Sequence, residues 1–188
     1  TGHSTLIDEI VSDLNPDGVK VGAIVVSVGG GGLMCGVLEG IGRHNSLHDT
    51  NVVCAETAGA ASFGKAFEKK ELVRLDSIDS VATSLGALEV TKAALERAEE
   101  HEGRGGGVVQ SAICTDKEAV NACVQFARDH RILVEPACGA ALAVLYEERL
   151  REEFLRGGLE EDEVVVVEVC GGSGVSVELL HMWTEQFL

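Results

Sequence analysis

Basic residues are scarce in this chain. Fifteen Lys and Arg stand against 31 Asp and Glu, a formal net charge of -16. A surface that acidic repels phosphate backbones and anionic bilayers, so neither nucleic acid nor a membrane is expected as a partner. Long apolar runs are missing too: none approaches the roughly 20 residues that span a bilayer. The first residues show no secretory leader, and Asp8 and Glu9 come too early for an acid-poor transit peptide. No C-x-x-C pair occurs among the six cysteines (Cys35, Cys54, Cys114, Cys123, Cys138, Cys170), and most lie in apolar runs, where a reduced thiol behaves as a small hydrophobe. Together these absences predict a reduced, cytoplasmic protein. Internal repeats and low-complexity tracts are absent as well.

What is present suits one domain: 188 residues, 45% of them hydrophobic, enough to bury a sizeable core. Ser4 or Thr5 can cap a helix whose Leu6, Ile7, Ile10, Val11 and Leu14 recur at helical spacing, and "NPDG" (15–18) ends it as a turn. Apolar strands are expected over 21–28, 51–56, 72–75, 108–113 and 163–170. Helices are expected over 33–43, within 57–71 after an opening turn, over 88–100, from Thr115 to about residue 129, over 139–154 and from 175 to the end. Thr115 with Glu118 three residues on makes a capping box, and Pro136 interrupts the helical pattern. Strands alternating with helices predict an α/β fold: three layers, a mainly parallel open sheet with helices on both faces. Ligands in such sheets sit beyond the carboxyl ends of the strands. Two of those ends, at 28–33 and 170–175, are glycine-rich, so they are candidates for one shared pocket.

The first of these reads "VVSVGGGGLMCG" (25–36). Glycines permit positive φ and close approach of the backbone. Successive N–H groups can then form an anion nest, with the positive end of the following helix behind it. A phosphate group is the expected guest, held mainly by main-chain donors, since Arg43 is the nearest downstream cation. No G-K-[ST] follows, which excludes a Walker P-loop. The dinucleotide pattern G-x-G-x-x-G fails at its last position, Met34 or Cys35, although Glu56 ends the next strand where a ribose-binding acid would stand. A tight turn alone would need only two of the four glycines.

Other patterns carry less. "GGSGV" (171–175) has Val175 where a nucleophile elbow needs glycine, so Ser173 is not read as a nucleophile. His44 and His48 share a helical spacing but lack further zinc ligands. Cys170, ending the strongest strand, is either a core cysteine or a sulfur at the pocket mouth. Glu56 and Glu135 stand in apolar surroundings, where a carboxylate needs a partner, a cation or a helix to cap.

Five stretches, "SVGGGGLMCGV", "AETAGAASF", "SVATSLGA", "ILVEPACGAAL" and "VEVCGGSGVS", occur in an order and at separations that resemble the carboxyl-terminal part of the L-serine/L-threonine dehydratases (ammonia-lyases). These are pyridoxal 5'-phosphate enzymes of fold type II, the tryptophan-synthase-β-like fold. Cysteine in "EPACGAA" and "VCGGS" favours the serine dehydratase branch over threonine deaminases and serine racemases. The resemblance implies that Gly29, Gly30, Gly31, Gly32 and Leu33 donate N–H groups to the cofactor phosphate, that Cys170 sits against the pyridine nitrogen and that Ser84 lies near one ring face. It also implies a monovalent cation, potassium, held by Glu56 with the carbonyls of Ala60, Ser84 and Leu85, and Ala87 beside them. The reaction implied is removal of water from L-serine, giving pyruvate and ammonia, or from L-threonine, giving 2-oxobutanoate.

The family's S-x-K-x-R-G motif, with the Schiff-base lysine, lies upstream of the matched part. Lys20, Lys65, Lys69, Lys70, Lys92 and Lys117 do not have that context, and "SFGKAF" (62–67) matches a helix. The expectation is therefore that residues 1–188 form the large-domain portion, with the small domain and the lysine segment elsewhere, no catalytic residue in this chain, and a homodimer as the assembly. A non-catalytic module binding a phosphorylated ligand and a dinucleotide-dependent oxidoreductase are the competing readings.

Overall fold

A computed structural model describes residues 2–14, 18–157 and 159–188. Of the turn expected at 15–18 only Gly18 falls among them, in the left-handed region at φ +68°.

Four strands form one parallel sheet: β1 (Lys20–Ser27), β2 (Asn51–Thr57), β3 (Val109–Cys114) and β4 (Glu163–Val167), in the order β3-β2-β1-β4. Their β-branched side chains alternate between two cores, the mark of a sheet covered on both faces. Ile24 and Val26 join Val52, Cys54 and Val109 on one side, whereas Ala23 and Val25 join Val53, Ala55, Ala112 and Cys114 on the other. The first side is covered by α1 (Thr5–Leu14), α2 (Gly32–Ile41), α3 (Ser62–Lys69) and α4 (Lys92–Glu102), through Ile7, Met34, Val37, Phe63 and Ala94. The second is covered by α5 (Asp116–His130), α6 (Pro136–Tyr146) and α7 (Glu148–Arg151), with α8 (Val177–Phe187) laid against α5. Small residues set the spacing of α5 and α6: a Cβ on Gly139 would stand 2.2 Å from the Ala119 carbonyl oxygen.

The α/β class and the parallel sheet agree with the sequence reading, and so does the capping box. Glu118 N–H donates to Thr115 Oγ1 at 3.2 Å, and Thr115 N–H donates to Glu118 Oε2 at 2.7 Å. Several boundaries differ. Residues 72–75 form no strand, because nothing runs alongside to complete a ladder; Leu75 N–H donates to Leu88 O in a loop, and Leu72 is exposed. The helix expected at 88 starts at Lys92, since Thr91 N–H is tied back to Gly30 O at 3.2 Å. Pro136 begins α6 rather than interrupting it, occupying the first-turn position where no N–H is needed. That helix stops at Tyr146, where Glu147 turns extended, and a short α7 and one wide π turn, Glu152–Arg156, follow. β4 ends at Val167, three residues early. Glu168 N–H still bonds Val25 O, and then the chain leaves the sheet.

β1 is the centre of this order. The chain steps from it to β2 and β3 on one side, and β4 returns on its other side. The carboxyl ends of β1 and β4 are thus neighbours at the point where the strand order reverses, the place where open α/β sheets hold ligands.

Candidate functional site

Both glycine-rich junctions open into one cleft of about 210 Å³, lined by Ser27, Gly29 to Met34, Ser84, Leu85, Glu135, Ala137 and Cys170. The four glycines differ in what holds them. A Cβ on Gly29 would lie 3.2 Å from the Leu85 Cα, and one on Gly31 would lie 2.6 Å from the Ala94 Cβ at a φ of +89°. Those two are demanded by the fold itself. Gly30 meets only the Ala87 Cβ at 4.0 Å, and Gly32 meets nothing within 4 Å. No packing explains their missing side chains, and both face the cleft.

The N–H groups explain them better. Among the described residues, the amides of Gly29 to Leu33 donate to no backbone carbonyl, while Val28 N–H, just before them, bonds Ala55 O. Gly31 caps α2 with no side-chain hydrogen bond, so the positive end of that helix is left open. The cleft lining has no Lys or Arg. Open amides at a helix N-terminus can hold an oxyanion without a basic side chain, in space that a Cβ at 30 or 32 would take.

Across the cleft, Cys170 follows β4. Its Sγ lies 3.2 Å from Cys138 Sγ and 3.6 Å from Ser27 Oγ. The side-chain hydrogen bond with Cys138 is the largest influence on Cys170 and holds its pKa below the usual value, with the Ser27 contact adding to that effect and burial opposing it. The Cys138 thiol also has Gly171 O as an acceptor at 3.1 Å. Cys138, fully buried, is pushed the other way. Glu168 stands two residues before Cys170, with its Oε2 buried and lacking a hydrogen-bond partner among the described residues. Burial, and then the charge of Cys170, push its pKa up to about 7.

Sequence reading did not single out Ser27, Cys138 or Glu168. Ser27 carries no local signal, since only the parallel pairing of β1 with β4 brings it beside Cys170. Cys138 was visible inside "EPACGAA", but its partner lies 32 residues away, beyond the rest of α6, α7, the π turn and β4.

Glu56 is placed differently from a cleft residue. It is 0% exposed, and its two carboxylate oxygens accept from Phe63 N–H at 2.9 Å and Gly64 N–H at 2.7 Å, at the N-terminus of α3. Burial nonetheless pushes its pKa up to about 7. A ribose-binding acid would have to face the cleft, so the dinucleotide reading loses its second support. Of the other residues named for a cation, Ser84 and Leu85 turn their carbonyls toward Gly29, each oxygen 3.4 Å from where its Cβ would be. Ala60 is buried in the core between the sheet and α6. Among the described residues no three His, Cys, Asp or Glu side chains are grouped to hold a metal. Glu135 takes the N-cap position of α6 without a capping side-chain bond and lines the cleft instead. His44 and His48 are bonded to Asp8 and Asp49 and line a separate hollow beyond the far ends of α2 and α4. Ser173 lies in an exposed turn outside the cleft lining. Among the described residues no helix is long and apolar enough to cross a membrane.

Comparison with known proteins agrees with this geometry. The family model described as "Pyridoxal-phosphate dependent enzyme" matches residues 1–171. The L-serine dehydratase/L-threonine deaminase of Mus musculus is 43% identical over 184 residues, covering 96% of this chain and 52% of that protein. The L-serine dehydratase of Dictyostelium discoideum is 39% identical, covering 96% of this chain and 49% of its own length. The crystal structure of a fungal L-serine ammonia-lyase from Rhizomucor miehei superposes with a TM-score of 0.87 at 33% identity, covering 100% of this chain and 56% of that one. The chain spans about half the length of the curated relatives it matches. With a family model that covers all four strands, the first glycine-rich junction and Cys170, the chain belongs to the pyridoxal-phosphate dependent enzymes.

Proposed function

We propose that this chain is the phosphate-cradling portion of an enzyme that deaminates L-serine to pyruvate and ammonia, and L-threonine to 2-oxobutanoate, by β-elimination. The observation that carries the reading is the meeting of the amide cradle and the Cys170 sulfur in one cleft at the switch point of the sheet. The residues fit a flat ring bearing a phosphate. Gly29 to Leu33 would take the phosphate, and Cys170 would face the ring nitrogen. Ser84 and Leu85 would wall one side, and Glu135 and Ala137 the other. When bound, pyridoxal phosphate supplies an electron sink for the Cα–H bond of an amino acid.

The protein's part is to bind, orient and tune. Amides fixed before the ligand arrives need no reorganisation to hold a dianion. Ser27 and Cys138 hold the Cys170 sulfur in place. A sulfur beside the ring nitrogen does not force that nitrogen to be protonated as a carboxylate would, which suits loss of a hydroxyl from the neighbouring carbon. None of the chain's lysines lines the cleft. The lysine that bonds the cofactor and moves the α-proton, and the small domain that grips the substrate carboxylate, are therefore assigned to residues outside this chain. Glu56 is the anchor for a potassium ion in this reading: its buried carboxylate meets neutral main-chain donors and no compensating charge. Six free thiols suit a reducing, cytoplasmic setting, and a homodimer is the assembly that the family resemblance implies.

The decisive experiment gives the full-length protein pyridoxal phosphate and L-serine. Pyruvate formation is the expected result. D-serine without pyruvate would make it a racemase instead. Saturable cofactor binding with no turnover of either amino acid would leave the phosphate-binding module.

A further inference from the structure

The cleft holds two sulfurs, and the proposed chemistry uses only one. Cys138 sits in the first turn of α6, fully buried, with its Sγ 3.2 Å from that of the exposed Cys170. Gly171 N–H donates to Cys138 Sγ at 3.1 Å, which pins the buried sulfur to the segment that carries its partner. Among the described residues no other two sulfurs are within hydrogen-bonding reach. A disulfide has its sulfurs about 2 Å apart, so roughly 1 Å of further approach completes one. Gly171 O accepts from Glu135 N–H at 3.2 Å and from the Cys138 thiol at 3.1 Å, so that approach falls to the exposed Cys170 side chain.

We infer that Cys138 and Cys170 form a modification site for hydroperoxides and close to a disulfide across the cleft. Cys170 is the attacking sulfur. It is the exposed member, and its contact with the Cys138 sulfur 3.2 Å away favours its thiolate, the reactive form. The thiolate attacks one peroxide oxygen and the O–O bond breaks. The departing hydroxide takes a proton to become water, leaving Cys170 as the sulfenic acid. Cys138 then gives up its proton as its sulfur attacks the Cys170 sulfur. The S–O bond breaks, and the hydroxyl leaves with that proton as a second water. Two thiols are oxidised to one disulfide, and one hydrogen peroxide is reduced to two waters. The consequence for the enzyme rests on the proposed function: a sulfur tied to Cys138 is no longer free to face the ring.

The test treats the full-length protein with one equivalent of hydrogen peroxide, with and without pyridoxal phosphate, followed by alkylation and peptide mass analysis. The expected result is loss of two hydrogens, a single cross-linked peptide joining Cys138 to Cys170, reversal by dithiothreitol, and slower reaction when the cofactor is bound. In Cys138→Ala, oxidation stops at a Cys170 sulfenic acid that dimedone traps. Wild-type protein that yields the dimedone adduct without the cross-link, or that oxidises other cysteines first, overturns the inference whether or not the variant folds. A cross-link that leaves cofactor affinity unchanged keeps the thiol pair and overturns the placement of Cys170 against the cofactor ring.

Discussion

The two glycine-rich junctions meet in one cleft but are built on opposite terms. The first leaves β1, the buried centre of the sheet, and enters a helix directly; every residue of that strand after Lys20 is buried. The second leaves β4, a half-buried edge strand, and crosses an exposed turn before α8 begins. In each, packing demands some glycines and not others. Gly29 and Gly31 are wedged while Gly30 and Gly32 have room; Gly172 is wedged while Gly171 and Gly174 have room. The first junction presents main-chain amides, and the second presents a sulfur held by Ser27 and Cys138.

The largest effects come from filling the wedged positions. A Cβ on Gly172 would stand 2.0 Å from the Leu133 carbonyl oxygen, so backbone must shift. Gly31→Ala combines left-handed strain of about 1–2 kcal/mol with overpacking against Ala94 of about 1–3 kcal/mol. Both variants should lower the denaturation midpoint sharply, with Gly172→Ala at or beyond the upper end of that range. An unchanged midpoint in either would show that its junction is softer than its packing indicates.

Two carboxylates outside the cleft lining, Glu56 on β2 and Glu168 just past β4, are both pushed up to about 7. Glu56 is fully buried, so its shift bears on stability. Its folded value lies above its ordinary value of 4.5. Its stabilising contribution is therefore complete below about 4.5 and is lost as pH rises through about 7. That loss is on the order of 3 kcal/mol. Chemical denaturation across this range should show stability falling with pH in the wild type and a flat profile in Glu56→Gln. Potassium bound at Glu56 favours the charged form, so potassium chloride should flatten the wild-type profile where tetramethylammonium chloride does not. Equal behaviour in the two salts would remove the proposed cation. Glu168→Gln should change the profile less, because the half-buried side chain is screened by water.

How much of this could be read in the sequence follows from how local each cause is. Apolar runs such as 21–28 and 163–170 mark buried strands because their covering comes from both faces at once. Thr115 and Glu118 announce their helix because the capping bonds close within three residues. The tetraglycine marks an unusual strand-to-helix junction because a tight turn alone needs only two glycines. Residues 72–75 misled, since a strand is defined by its neighbour and the neighbour is not in the segment. Which glycines were structural was also hidden, because Leu85 and Ala94, which decide it, arrive from more than 50 residues away. The Cys138–Cys170 contact was hidden for the same reason.

The smallest effect separates cradle from packing most cleanly. Gly32 is the first residue of α2, with nothing near its missing Cβ. Alanine there suits a helix better than glycine by up to about 1 kcal/mol, so Gly32→Ala should leave stability unchanged or slightly raised. The same methyl group would intrude on the space above the free amides. If those amides hold the phosphate, affinity for pyridoxal phosphate should fall by about tenfold, equivalent to about 1.4 kcal/mol, and inorganic phosphate should compete less well. Stability and binding would then move in opposite directions from one substitution, which a purely structural glycine cannot produce. A variant that binds the cofactor as tightly as wild type would show that the open glycines at the first junction face a ligand elsewhere.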